Sequence, residues 1–319
     1  PNLAIKQYWS KNPTEDPNAA TEYFCGSLEK LSAKYTFDLI ISHSGFCCGI
    51  FAKYYFPNTP LISYLEWWFS NQPEQLITKT AYIDHKPTTY SKLYLRNRST
   101  ALELANADAI VTPTKWQCEF IPDSFKSRVN VIFDGVPDNH QLFDNQSKKN
   151  EKYITYASRG LEPIRCFPEF IKSIPHLRAL GCNHKIFILG GDKIHYGCGN
   201  PSKSVKSFKK WAISYLQKHN SLDDVYFLGK LKYKSYLTVL HGSDLHIHLT
   251  QPFVPSWSLF DSLALGAPTL VTENASTIEL ISSSCFARPT LNTFNSRLLA
   301  NDISSSLRTF RGNNLSKVE

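Results

Sequence analysis

At 319 residues, 42% of them apolar, the chain is long enough for one large core or two ordinary ones and too hydrophobic to be disordered. Its apolar runs fall short of the roughly 20 residues that a bilayer span needs, and the opening stretch does not read as a signal peptide. The net charge of +8 is spread along the chain without a dense basic block, which argues against nucleic acid as a partner and for anionic substrates or the face of an anionic membrane.

The chain starts at Pro1 and contains no Met, so a start codon upstream of it is expected. Short runs rich in Ile, Val, Leu and Tyr then alternate with helical stretches, the pattern of a parallel sheet built from βαβ units. In the first half the pattern predicts strands over 3–8, 38–42, 60–66, 109–112 and 130–133, with helices over 19–35, 46–56, 91–107 and 114–121. Residues 138–151 are polar and aperiodic and read as a linker. Beyond it strands are predicted over 153–157, 185–189, 225–228, 245–249 and 269–272, and helices over 167–180, 203–218, 233–241 and 257–265. The fold class is therefore α/β with two Rossmann-like doubly wound domains, 1–138 and 152–319, joined by the linker 139–151. Ligands of such sheets bind at the carboxyl ends of the strands, so side chains that follow strands are the candidates.

His43 closes an apolar strand and is followed by Ser44-Gly45, a place from which it can hydrogen-bond a donor sugar or an acceptor; a structural histidine is the plainer reading. Glu66 has the same placement, with Trp67 and Trp68 behind it, and either acts as an acceptor base or caps the strand end. Gly190-Gly191 ends a strand where bare backbone can approach a base or ribose, with Tyr196 continuing that wall, although a plain turn explains the glycines almost as well. His246 and His248 point to one side of a strand, yet no third ligand of suitable spacing accompanies them, so no metal site is expected. Eight cysteines are scattered without C-x-x-C spacing and read as reduced thiols of a cytosolic protein.

The stretch 251–268 reads as a tight loop feeding a buried helix. Pro255 suits its first turn, Ser256 and Ser258 can cap it, and the free N–H groups around Trp257, with the helix dipole, would hold a diphosphate. Asp261, placed three residues into the helix, would take hydroxyl hydrogen bonds from the attached sugar; an acid that merely complements the dipole is the alternative.

Thr112-Pro113-Thr114-Lys115-Trp116-Gln117, then Ile121-Pro122 and Val131-Ile132-Phe133-Asp134-Gly135-Val136, resembles the segment closing the acceptor domain of retaining glycosyltransferases of the GT-B fold, family four. The order of further motifs extends the resemblance over about 3–280: Asp38-Leu39-Ile40-Ile41-Ser42-His43-Ser44-Gly45, Leu61-Ile62-Ser63-Tyr64-Leu65-Glu66-Trp67, Ala157-Ser158-Arg159-Gly160-Leu161-Glu162-Pro163 and Ile188-Leu189-Gly190-Gly191-Asp192. The resemblance implies transfer of a sugar from a nucleotide-sugar donor to a glycan or lipid-linked acceptor hydroxyl, without metal ion or cofactor. It also implies that Arg159 and Arg165 grip the donor phosphates, and that the protein is cytoplasmic, with a peripheral place at the inner membrane face open to it.

The chain departs from the family in three places. Phe253 stands where the first of two glutamates is usual, Asp261 is one methylene shorter than the second, and the first βα unit of the N-terminal domain is expected to be missing. Beyond Ser284 the resemblance fades, where a further helix pair would be expected. A nucleotide-sugar epimerase or hydrolase, and a non-catalytic GT-B domain that binds a sugar nucleotide or a partner protein, are the alternatives.

Overall fold

The computed structural model describes residues 17–71, 86–136, 151–195, 205–282 and 284–312. Their contacts form two units that divide between Asp134 and Gly135, with residues 86–90 grouped with the second. The predicted strand 3–8, most of the linker and Tyr196 lie outside the described residues.

In chain order the elements up to residue 131 are α1 (Pro17–Ser32), β1 (Ile40–His43), α2 (Ala52–Tyr55), β2 (Leu61–Tyr64), α3 (Pro87–Tyr94), α4 (Asn97–Asn106), β3 (Ala109–Thr112), α5 (Lys115–Glu119), α6 (Asp123–Lys126) and β4 (Val129–Val131). The four strands lie in the order β1-β2-β3-β4 and pair in parallel throughout. Leu61, Leu65, Leu104, Ile110 and Ile121 form the core beneath them. Parallel pairing places all four carboxyl ends on one edge, which is where His43 and Glu66 stand.

The second unit carries β5 (Tyr153–Gly160), α7 (Phe167–Ala179), β6 (Lys185–Gly191), α8 (Phe208–Lys218), β7 (Val225–Gly229), α9 (Tyr233–His241), β8 (Leu245–His248), α10 (Trp257–Ala264), β9 (Thr269–Thr272), α11 (Ile278–Ile281), β10 (Ala287–Thr290) and α12 (Ser296–Gly312). Its parallel sheet has the order β10-β9-β8-β5-β6-β7. The chain winds outward from β5 to β7, then crosses back to β8 and winds the other way, so the winding reverses between β5 and β8. A doubly wound sheet opens a crevice at such a reversal. β5 is central and buried along Tyr153–Ala157, and Tyr156 stacks on Phe170 of α7 with centroids 5.2 Å apart. Ile171, Ile174 and Leu177 of α7 share this core with Leu299, Ile303 and Leu307 of α12; each such side chain contributes about 1.5–3 kcal/mol by leaving water.

Three predicted elements take another form. The helix over 46–56 is replaced by a 3-10 turn at Ser44–Phe46, a left-handed Cys47 (φ 60°) and the single-turn α2. Close packing at Gly49 sets this break, because a Cβ there would meet Ser42 Oγ at 2.4 Å and Glu103 Cδ at 2.8 Å. The helix over 91–107 splits into α3 and α4 at Arg96, next to Asn97, whose carboxamide is bonded in both directions to the backbone of Phe69 (2.7 and 3.0 Å). Beyond Ser284 a strand and one 17-residue helix, β10 and α12, stand in place of a helix pair.

Candidate active site

In the first unit, the carboxyl edge of the sheet gathers His43, Tyr64, Glu66 and Asp134. His43 Nδ1 accepts the N–H of Gly45 at 3.2 Å, so the neutral ring carries its proton on Nε2. Nε2 lies 3.7 Å from Glu66 Oε2, an electrostatic contact longer than a hydrogen bond, and both side chains keep access to solvent. The His43 ring rests against Phe46 and Tyr64, with centroids 4.5 and 5.2 Å away.

Glu66 is positioned from α5. Thr114 caps that helix by accepting the Gln117 N–H (3.1 Å), its hydroxyl donates to Gln117 Oε1 (2.7 Å), and the Gln117 amide is left to donate to the carbonyl of Glu66. Thr114 and Gln117 of the 112–117 motif thus hold the segment that follows β2. Tyr64 donates its phenol to both carboxylate oxygens of Asp134 (2.8 and 3.0 Å), and burial, then this bond, hold its pKa far above the ordinary value. Below the edge, the fully buried Glu103 accepts from Ser42 Oγ (2.5 Å), Ser63 Oγ and the N–H of Gly49 (2.8 Å), which ties β1, β2 and the loop after His43 to α4.

In the second unit, the reversal between β5 and β8 is bounded by the segments after each strand. Arg159 is exposed at the end of β5. Arg165, 6% exposed, is turned inward: Nη1 donates to Thr250 Oγ1 and Nη2 to the carbonyl of Val254, both at 3.0 Å, and its guanidinium lies 5.4 Å from the Phe253 ring centroid. From the other side Asn274 Nδ2 donates to the carbonyl of Thr250 (3.0 Å), and Gln251 N–H donates to the carbonyl of Ile164 (2.8 Å). The loop 250–254 is therefore anchored on both flanks.

This loop delivers the chain to the amino end of α10. Ser256 occupies the cap position with extended backbone, but its side chain makes no capping bond; the hydroxyl instead pairs with Ser258 Oγ at 3.1 Å, and Ser258 Oγ lies 3.3 Å from His248 Nδ1. Trp257, 53% exposed, opens the helix. Asp261 falls in the second turn of α10, not the first, and is 4% exposed. Its Oδ1 accepts from Tyr233 at 2.8 Å; burial raises its pKa while Tyr233 and Tyr236 oppose that rise.

Gly190 has φ +140°, and a Cβ there would meet the carbonyl oxygen of Ser158 at 2.4 Å; a Cβ at Gly191 would meet Lys230 Cε at 2.9 Å. The neighbours that come close to these glycines are β5 and Lys230. Tyr196 lies outside the described residues. Just before it, His195 donates its backbone N–H to the buried Glu162 (2.6 Å), and its ring is held below the ordinary pKa by burial, then by Arg159, Lys230 and Lys193. Arg159, Lys193 and Lys230 make the ends of β5, β6 and β7 electropositive, a feature not legible in the sequence because the lysines lie on separate loops.

Among the described residues no three His, Cys, Asp or Glu side chains gather to hold a metal ion, no helix is long and apolar enough to cross a membrane, and Cys25, Cys47, Cys48, Cys118, Cys166, Cys182 and Cys285 are free thiols. Buried in the neutral state beneath the loop are His246, whose pKa burial pushes down to about 3, and His248.

The family model described as "Glycosyl transferase family 4 group" matches residues 5–140. No curated protein matches the chain in sequence. Among solved structures, the chain is similar to a glycosyltransferase from Rickettsia africae ESF-5 (TM-score 0.63, 13% identity, covering 95% of this chain and 74% of that one). It is also similar to sucrose-phosphate synthase from Thermosynechococcus elongatus (TM-score 0.61, 16% identity, 92% and 71% covered). A third is Anabaena HepE in complex with UDP and glucose (TM-score 0.60, 16% identity, 92% and 73% covered). The family 4 group model thus covers residues 5–140, and the likeness to these solved structures shows that the chain has a GT-B fold.

Proposed function

We propose that the chain is a retaining, metal-independent glycosyltransferase of the hexosyltransferase type, acting in surface polysaccharide or glycolipid assembly. The observation that carries this reading is the loop 250–256, anchored by Arg165 and Asn274 at the reversal of the second sheet, which feeds an amino end of α10 left without a side-chain cap. Backbone N–H groups and the helix dipole there suit a diphosphate, and Arg159 at the end of β5 adds a guanidinium where charge grows as the sugar–phosphate bond breaks. The complex of Anabaena HepE with UDP supports a nucleotide-sugar donor.

In this reading, residues 152–319 bind the donor and residues 1–138 the acceptor. Arg159 and the N–H groups of Ser256, Trp257 and Ser258 hold the diphosphate, while Arg165 shapes their loop. Gly190, Gly191 and Tyr196 line the nucleoside, and Asp261 takes a hydroxyl of the donor. His43 and Glu66, with Gly45 beside them, serve the glycan or lipid-linked acceptor as it attacks on the face the leaving group vacates. The positive charge suits a peripheral place on an anionic membrane at the cytoplasmic side.

The test is transfer or hydrolysis of UDP- and GDP-sugars by the wild-type protein and by Arg159→Ala. A loss of about a hundredfold in kcat/KM is expected; an unchanged rate excludes the role of Arg159. One observation favours a second reading, a non-catalytic domain that binds a sugar nucleotide or a partner: the Asp261 carboxylate is already engaged by Tyr233. If Asp261→Glu gains no activity while nucleotide binding persists, that reading is supported.

A further inference from the structure

Ser256, Ser258 and His248 form a chain of polar groups that runs from the amino end of α10 into the core. Ser256 Oγ lies 3.1 Å from Ser258 Oγ, and Ser258 Oγ lies 3.3 Å from His248 Nδ1. His248 and Ser258 are buried, whereas Ser256 is only half-buried. Burial, His246 and the charge of Arg165 keep His248 neutral, so its ring carries a single N–H.

Each hydroxyl has one proton to give, so the tautomer of His248 fixes the direction of the whole chain. With the proton on Nε2, Nδ1 accepts from Ser258, Ser258 accepts from Ser256, and Ser256 faces outward with lone pairs alone. With the proton on Nδ1, His248 donates to Ser258, Ser258 donates to Ser256, and the proton of Ser256 is free for an outside oxygen. Only the second arrangement welcomes an anion.

We propose that His248 is a positioning residue which, as the Nδ1–H tautomer, turns the Ser258–Ser256 pair into a donor toward the phosphate oxygens of a nucleoside diphosphate. This rests on the donor-site reading above. It assigns a function to a buried histidine for which the His-x-His pattern raises only a metal site, and raises it without a third ligand.

The experiment measures binding of UDP, GDP and uridine to the full chain by calorimetry, in wild type, His248→Leu and His248→Asn, and records side-chain 15N spectra of histidine with the diphosphate bound. The expected results are the Nδ1–H form of His248, a loss of about tenfold in diphosphate affinity for His248→Leu, recovery to within about threefold for His248→Asn, whose amide donates from the same place, and unchanged uridine binding. An Nε2–H form in the complex, or a His248→Leu protein that binds the diphosphate as wild type does, overturns the proposal while the site stands. If wild type binds neither UDP nor GDP, the donor-site reading fails and the proposal with it. A melting temperature of His248→Asn equal to that of His248→Leu, with affinity restored only in the former, separates positioning from stability.

Discussion

Arg165 Nη2 and the carbonyl oxygen of Val254 are bonded at 3.0 Å across 89 residues of chain. With Nη1 on Thr250, this makes one buried guanidinium the strut of the loop ahead of α10. Arg165→Ala leaves two buried acceptors without a donor and is expected to cost about 2–4 kcal/mol of stability, together with diphosphate affinity. Arg165→Lys restores part of it, since an ammonium cannot span both acceptors in one plane. Urea denaturation reads both; a midpoint unmoved by Arg165→Ala would remove the strut from the account.

Gly49 is the most tightly enclosed glycine of the first unit. The Cβ of Gly49→Ala would sit 2.4 Å from Ser42 Oγ and 2.8 Å from Glu103 Cδ, so the loop after His43 must shift. A loss of about 1–3 kcal/mol is expected in thermal melting. Gly26→Ala in α1, where a Cβ meets nothing within 4 Å, is the matched control and gains about 0.5–1 kcal/mol. Equal effects at the two positions would contradict the packing described.

Tyr233 and Asp261 give a third test. The phenol occupies Oδ1 of a carboxylate assigned above to a donor hydroxyl. Tyr233→Phe removes the bond, costs about 1 kcal/mol of stability, and frees Oδ1, so a UDP- or GDP-sugar should bind about threefold tighter. Weaker binding in the calorimeter would instead make the Tyr233 hydroxyl a ligand contact in its own right.

Glu169, in the first turn of α7, is 8% exposed, and burial pushes its carboxyl up to about 7 from an ordinary 4.5. Between those two values the unfolded chain has lost a proton that the folded chain keeps. Stability therefore falls as pH rises from about 4.5 to about 7, by about 3 kcal/mol in all, and levels off above that. The depressed His246 works the other way, adding stability as pH rises from about 3 to 6.5, so the difference between wild type and Glu169→Gln is the quantity to follow. Glu169→Gln is expected to gain on wild type from about pH 4.5 to about pH 7 and to hold that gain at higher pH; a constant offset throughout would show that Glu169 ionises freely in the fold.

The sheet was legible where side-chain pattern and pairing agree. Residues 109–112, 233–241 and 269–272 have the predicted bounds, because short β-branched runs and an amphipathic helix bury their own apolar faces. The strand β10 was not, since Pro289 and Arg288 disguise it; it lies at the edge of the sheet, where a residue without an N–H is tolerated. The positions of His43, Glu66 and Arg159 at strand ends followed from the alternation of elements. The inward turn of Arg165 and the engagement of Asp261 depend on partners 85 to 89 and 28 residues away, and no local pattern carries such pairings.

Glu103 is fixed by groups on Ser42, Gly49 and Ser63, which lie 61, 54 and 40 residues before it. On a ribosome, the turn after His43 emerges long before the carboxylate that will fasten it. Until α4 arrives, the Ser42 and Ser63 hydroxyls and the Gly49 amide lack their shared carboxylate, and the first two strands lack the pin that sets their mutual height. Maturation of this corner is thus a late, nonlocal event, and slow translation or a weakened α4 should delay it more than it delays the growth of the strands themselves.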